Sequence, residues 1–181
     1  MITLCLVNTY DKLKLHEIHL RSIARAAPLC YAYDMHLALL DFDFWKREEE
    51  MIEAVREYTT IGAHGEYAVR LLEKGWVHLV EKIPAHFGSV VATTSKPSQQ
   101  KRLDMESLRK LLESSATFLI GLGRKGLPRE YLKSSKYHLD VTFSGVSLET
   151  CSAMGAISAL LWMVREHGGH KNLPGTRLLQ G

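Results

Sequence analysis

The sequence has no long apolar segment. No hydrophobic run approaches the roughly 20 residues that cross a bilayer, and the first residues, MITLCLVN, lack the basic-then-apolar pattern of a signal peptide. These two features predict a cytoplasmic protein with no membrane partner.

Cysteine is also scarce, because the 181 residues include only three. Cys5, Cys30 and Cys151 are odd in number, far apart and set in apolar surroundings, which favours buried thiols over a disulfide framework. The histidines form no known metal motif, since the segment HEIH at 16–19 lacks the spacing of H-E-x-x-H. We therefore expect no bound metal.

No internal repeat, linker or low-complexity tract divides the chain. With 46% hydrophobic and 24% charged residues, it has the composition of one globular domain, which we assign to residues 1–167. Residues 168–181 are polar and rich in glycine, which predicts a mobile tail. A net charge of +3 is compatible with an anionic partner and equally with an ordinary solvated surface.

Strand and helix patterns alternate along the chain. Residues 2–7 and 36–42 have the apolar pattern of buried strands, and residues 16–27 and 46–58 have apolar positions at helical spacing. The remaining predicted strands are 76–80, 88–93, 117–120 and 137–142, and the remaining predicted helices are 66–74, 104–113, 128–134 and 148–167. This alternation predicts a layered α/β domain with a parallel sheet.

One glycine motif suggests a nucleotide site. Residues 117–128 read TFLIGLGRKGLP, in which G-x-G-x-x-G follows a predicted strand, as in Rossmann-like nucleotide-binding enzymes. In such enzymes a long helix follows the glycines and an acidic residue ends the next strand. Asp140 lies near the acidic position, but only a short segment that begins at Leu127-Pro128 separates the loop from that strand. The Rossmann-like interpretation is therefore an alternative hypothesis only.

Three loops at the ends of predicted strands share a composition. Residues 92–97, 121–128 and 142–149 are rich in glycine, small residues and hydroxyl side chains. Ligands of open α/β sheets bind at the carboxyl ends of parallel strands, and glycine-rich backbone can approach a ligand closely. These loops suit a flat heterocycle that the backbone recognises.

The order of these segments resembles a known family. A strand followed by I-G-x-x-x-x-G-L-P, another strand, and G-V-S-L-E-T-C-S-A-M-G-A-I leading into the last helix is similar to the SpoU-like branch of the SPOUT class of RNA methyltransferases. The resemblance spans residues 2–167. It implies a carboxyl-terminal deep trefoil knot, S-adenosylmethionine as cofactor, RNA (tRNA or rRNA) as substrate and a homodimer.

The resemblance also implies site residues. For catalysis it indicates Arg21, on the first helix, and Glu149, before the last. The cofactor-binding candidates are Thr93, Thr94, Gly121, Gly123, Gly126, Leu139, Asp140, Gly145, Ser147 and Leu148. The RNA-binding candidates are Asn8, Arg25, Lys96, Lys101, Arg102, Arg124 and Lys125.

Two positions differ from the family pattern. Gly123 occupies the position of the family's glutamate in the glycine loop, and Glu149 occupies that of the asparagine in S-L-N. A SPOUT-fold protein that binds RNA or a ligand without catalysis is therefore a second hypothesis. Ordinary roles are also open: solvation for Arg21, interaction with the helix dipole for Glu149, and termination of a strand for Asp140.

Overall fold

A six-stranded parallel sheet forms the centre of the computed structural model, which describes residues 1–58, 64–123 and 126–167. Its strands are β1 (Ile2–Val7), β2 (His36–Leu40), β3 (Val77–Val80), β4 (Ser89–Thr93), β5 (Ala116–Gly121) and β6 (Tyr137–Leu139). They lie in the order β3-β2-β1-β5-β4-β6. The sheet is parallel, as the alternating pattern predicts.

Helices cover the two faces of this sheet unequally. The helices are α1 (Glu17–Ala32), α2 (Glu48–Tyr58), α3 (His64–Glu73), α4 (Met105–Leu111), α5 (Arg129–Ser134) and α6 (Thr150–His167), with a 3-10 turn at Ala85–Phe87. Helices α1, α2, α3 and α6 pack on one face and contribute to the larger apolar core. Residues of α5 and the 3-10 turn contribute to the smaller core on the other face.

Strand β1 shows how the sequence specifies both faces. Its side chains alternate, so that Leu4 and Leu6 join the larger core while Cys5 and Val7 join the smaller one. All six residues of β1 are buried, which explains why the strand is apolar at every position except Thr3 and shows no polar alternation.

Three predicted boundaries differ from those in the structure. Helix α1 continues to Ala32, beyond the predicted end at residue 27, and contains Pro28. Strand β2 ends at Leu40 because Asp41 has a left-handed backbone, with φ +64°. Strand β6 ends at Leu139 instead of residue 142, since the carboxylate of Asp140 accepts hydrogen bonds from the chain that follows.

The three cysteines are free thiols, but they are not equally buried. Burial raises the pKa of the Cys5 and Cys30 thiols, and both side chains belong to the core, as predicted. The prediction is wrong for Cys151, which is half-buried at the start of α6. Its position in the first turn of a helix that faces a cleft keeps it out of the core.

Three further observations concern metal ions, membrane spans and the tail. Within the described residues, no cluster of three or more potential ligands could hold a metal ion. None of the described helices is long and apolar enough to cross a membrane. The predicted mobile tail at 168–181 lies outside the described residues.

Candidate functional site

A cleft of about 550 Å³ opens at the carboxyl ends of β4, β5 and β6, between the loops that follow these strands and helices α1 and α6. It gathers segments that are far apart in the sequence, including every predicted cofactor-binding residue except Gly145. The predicted site residues that line the cleft are Arg21, Arg25, Thr93, Thr94, Gly121, Gly123, Gly126, Leu139, Asp140, Ser147, Leu148 and Glu149. The volume lies in the range of small-molecule sites.

The glycine loop needs its glycines for close backbone contact. A Cβ atom on Gly121 would lie 2.6 Å from the carbonyl carbon of Gly126, because the loop folds back on itself. A Cβ on Gly123 would lie 2.9 Å from the carbonyl oxygen of Thr9, and the Gly123 N–H donates to Thr9 Oγ1 at 2.8 Å. The helix that follows, α5, has six residues. The loop therefore does not build the long phosphate-binding helix of a Rossmann fingerprint.

Asp140 organises the loop between β6 and α6. Its Oδ1 accepts from the Thr142 hydroxyl at 2.7 Å and its Oδ2 accepts from the Gly145 N–H at 2.7 Å. Burial alone would raise the pKa of Asp140, but these hydrogen bonds outweigh it and hold the pKa below its usual range. Gly145, with φ +78°, lies outside the cleft and supports its wall through this bond.

The loop after β4 is attached to its neighbouring strands. The Thr93 hydroxyl donates to the Leu119 carbonyl of β5 at 2.7 Å, and the Thr94 N–H donates to the Leu139 carbonyl of β6 at 2.9 Å. The cleft wall here is consequently built on three adjacent strands. Such a wall holds its backbone groups in fixed positions without a ligand.

Charged side chains face the cleft from two helices. On α1, Arg21 forms an ion pair with Glu17, and Arg25 Nη1 donates to the sulfur of Cys151 at 3.0 Å. At the start of α6, Glu149 Oε2 accepts from the N–H of Cys151 at 2.8 Å and also from Ser152 at 3.3 Å, in the manner of a helix cap. The cleft thus combines two guanidinium groups with a capped helix start.

Two of the RNA-binding candidates make hydrogen bonds within the protein. The side chain of Asn8 is buried, its Nδ2 donates to the Asp11 carbonyl at 2.8 Å, and His19 Nε2 lies 3.1 Å from its Oδ1. The ammonium group of Lys101 donates to three carbonyls at the end of α5, the nearest being that of Lys133 at 2.6 Å. These bonds give both side chains a role in holding the fold.

The other RNA-binding candidates lie on the surface or beyond the described residues. Lys96 is exposed, and the exposed Arg102 donates from Nη2 to the Phe143 carbonyl at 3.1 Å. Both lie outside the cleft, whereas Arg25 lines it. Arg124 and Lys125 fall outside the described residues.

Several lining residues were not predicted. Ile18 and Ser22 lie on the same face of α1 as Arg21 and Arg25, so the helical spacing of three and four residues could have identified them. Cys151 also lines the cleft, although its apolar neighbours in sequence indicate a core position. The other apolar lining residues that were not predicted as site residues are Ile120, Leu132, Val141, Ala153 and Ile157, which lie outside the three predicted loops, and Leu122, Leu127 and Val146, which belong to those loops.

Comparison with known proteins identifies the family of the chain. A family model described as a protein of unknown function, DUF531, matches residues 2–162. The chain belongs to the DUF531 family. A relative of this DUF531 protein, an uncharacterized protein of Methanocaldococcus jannaschii, is 44% identical over 162 residues, covering 89% of this chain and 93% of the relative.

Solved structures share the fold of this DUF531 chain at low sequence identity. TrmJ from Z. mobilis ZM4 is 17% identical with a TM-score of 0.60, and the match covers 96% of this chain and 73% of TrmJ. The SpoU methyltransferase AviRb from Streptomyces viridochromogenes, in complex with the cofactor AdoMet, is 14% identical with a TM-score of 0.53, covering 90% of this chain and 56% of AviRb. The DUF531 chain therefore has the α/β fold of SpoU-like methyltransferases.

Proposed function

We propose that this protein is an S-adenosylmethionine-dependent methyltransferase that acts on RNA. The observation that carries the proposal is the cleft, in which loops following three adjacent parallel strands converge on one space of about 550 Å³. AviRb, which shares the fold, is named as a complex with AdoMet. A Rossmann-like nucleotide enzyme fits less well, because the glycine loop precedes a helix of only six residues.

In this proposal the three loops hold the cofactor. The buried Leu122 forms one side of the cleft together with Gly121 and Gly123. Ser147 and Leu148 approach from the loop that Asp140 organises. An adenosyl group bound between them would contact apolar side chains on its faces and peptide groups at its edge.

Arg21 is the residue that we assign to the chemistry. When bound, the cofactor supplies an electrophilic methyl group, and its transfer requires a nucleophile held in line with that methyl. A guanidinium group can bind a phosphate or stabilise negative charge that develops on a ribose or base atom. Arg21 is exposed and paired with Glu17, and an exposed pair of this kind contributes only about 0.5 kcal/mol, so substrate can replace Glu17 easily.

A second candidate function is RNA or ligand binding without catalysis. It is favoured by Glu149, whose carboxylate is committed to the first N–H groups of α6, and by Gly123, where a larger side chain would collide with Thr9. Neither position then supplies the side chain that the SPOUT pattern has there, which is a glutamate at 123 and an asparagine at 149. Loss of methyl transfer with retained cofactor binding distinguishes this candidate from the first.

The proposal includes a trefoil knot and a homodimer. The loop after β6 lies against the loop after β4, since Arg102 bonds to Phe143 and a Cβ on Gly145 would lie 3.6 Å from the Ser95 carbonyl. This proximity supports threading of the last segment. Exposed apolar side chains at Val146, Leu148 and Met163 support a second copy packing beside α6.

The direct test measures methyl transfer from labelled S-adenosylmethionine to total cellular RNA. Wild type should label RNA, and Arg21→Ala should remove transfer while its cofactor affinity, measured by calorimetry, stays within about twofold because the arginine is assigned to the substrate. Glu17→Gln is the matched control, since it removes the ion-pair partner and leaves Arg21 in place. Full transfer by Arg21→Ala would show that the catalytic assignment is wrong.

A further inference from the structure

The loop between β1 and α1 lies next to the proposed active site. Thr9 accepts a hydrogen bond from Gly123, which lines the cleft, and α1 continues from this loop to Arg21. Residues 9–14, which we name the Tyr10 loop, therefore stand beside the mouth of the cleft. Thr9 is the residue of this loop that bonds to Gly123.

The Tyr10 loop is held rigid by bonds within its own segment. Asp11 Oδ1 accepts from the N–H groups of Leu13 at 2.8 Å and Lys14 at 3.1 Å, and Asp11 Oδ2 lies 2.7 Å from Nε2 of His16. The buried amide of Asn8 closes the turn from beneath, and Lys12 pairs with Asp41 at 2.7 Å. A loop ordered before binding loses little conformational entropy when a ligand arrives.

This rigid loop presents apolar groups to water. Tyr10 is 54% exposed and Leu13 is 96% exposed. Covering large apolar groups of this kind with a partner removes apolar surface from water, which favours binding. The Tyr10 ring is oriented by edge contacts with His16 and His19, whose centroids lie 5.3 and 5.8 Å away. Lys14, four positions further along the same loop, is exposed and adds a cation to it.

A loop that carries an oriented aromatic ring and an exposed lysine has the composition of a single-stranded nucleic-acid contact. Bases stack on aromatic side chains whatever their sequence, while lysine ammonium groups bind the phosphates between them. We infer that the Tyr10 loop binds an unpaired nucleotide of the RNA substrate, with its base stacked on Tyr10 and a phosphate at Lys14. This inference rests on the proposed RNA substrate and adds the residues that hold it.

The test titrates the protein into a fluorescein-labelled oligouridylate of about a dozen nucleotides and follows fluorescence anisotropy. Tyr10→Ala should weaken binding about 5- to 100-fold, whereas Tyr10→Trp should retain it. Lys14→Gln should lower the slope of log affinity against log salt by about 0.7. Met105→Ala is the matched control, because Met105 is similarly exposed but lies on α4 and not on the Tyr10 loop.

A parallel titration with S-adenosylmethionine separates this inference from the proposed function. Unchanged cofactor affinity in Tyr10→Ala, together with weaker RNA binding, supports the inference. Wild-type RNA affinity in Tyr10→Ala would overturn it and indicate another partner, such as a protein, while the methyltransferase proposal stands. Loss of RNA binding in Tyr10→Ala without any cofactor binding by wild type would support the loop and overturn the methyltransferase.

Discussion

Replacing Gly121 with alanine should weaken cofactor binding through one added methyl group. The new Cβ would lie 2.6 Å from the Gly126 carbonyl carbon and 3.0 Å from the Leu127 nitrogen, well inside ordinary contact distance. These atoms belong to the backbone, so the loop must move by about 1 Å to accept the methyl group. Peptide groups in the displaced loop would lose their alignment with the adenosyl group.

The magnitude depends on how many hydrogen bonds the loop makes to the cofactor. If two hydrogen bonds of about 0.5–1.5 kcal/mol each are lost, cofactor affinity falls by about 1–3 kcal/mol, or roughly 5- to 150-fold. Calorimetry with S-adenosylmethionine measures this change, and a thermal melt checks that the fold is intact.

Gly155→Ala is the matched control for this substitution. Gly155 lies within α6, where a Cβ meets no atom within 4 Å. Alanine in a helix interior is more stable than glycine by up to about 1 kcal/mol, so this variant should fold well and keep wild-type cofactor affinity. If Gly121→Ala binds the cofactor as tightly as Gly155→Ala, the glycine loop is not the cofactor site.

Three further substitutions test the interactions around the site and core. Asp140→Asn should lower the free energy of unfolding by about 1–3 kcal/mol in urea titrations, because the amide cannot accept from both the Thr142 hydroxyl and Gly145 as the carboxylate does; unchanged stability would contradict its organising role. Burial and nearby His78 lower the pKa of His36 to about 4, so the unfolded state binds more protons below about pH 6.5 and stability should fall from there toward pH 4. His36→Gln should flatten that acid decline, and an identical decline in the variant would refute the assignment. Lys101→Met should destabilise the fold by about 1–3 kcal/mol without changing the salt dependence of RNA binding, and a reduced salt slope would restore Lys101 as an RNA contact.

Local signals in the sequence predict much of the fold. Strand β1 and the start of the helix predicted at 104–113 depend on neighbouring residues and are predicted correctly; the Asp104 carboxylate caps this helix by accepting from the Ser107 N–H at 2.8 Å. The carboxyl ends of parallel strands meet at one edge of a sheet, which is why the three loops are expected to lie together. The cleft follows the same rule, since Thr93, Gly121 and Ser147 from these loops all line it.

The remaining features depend on contacts between distant parts of the chain. Thr9 and Gly123 are separated by 114 positions, so no local pattern indicates that one restricts the side chain of the other. In the sequence, Lys101 looks like an ordinary surface charge, because only the folded chain brings the end of α5 beside it. The hydrogen-bond partners of Asn8, the Asp11 carbonyl and the buried His19, are recognised only in the folded loop.

The most direct test of the account is a calorimetric titration of the wild-type protein with S-adenosylmethionine, compared with NAD under the same conditions. The account predicts saturable binding of S-adenosylmethionine at one site per chain, weakened about 5- to 150-fold in Gly121→Ala, and no binding of NAD. Binding of NAD in the absence of S-adenosylmethionine binding would contradict it and favour a nucleotide enzyme of another class.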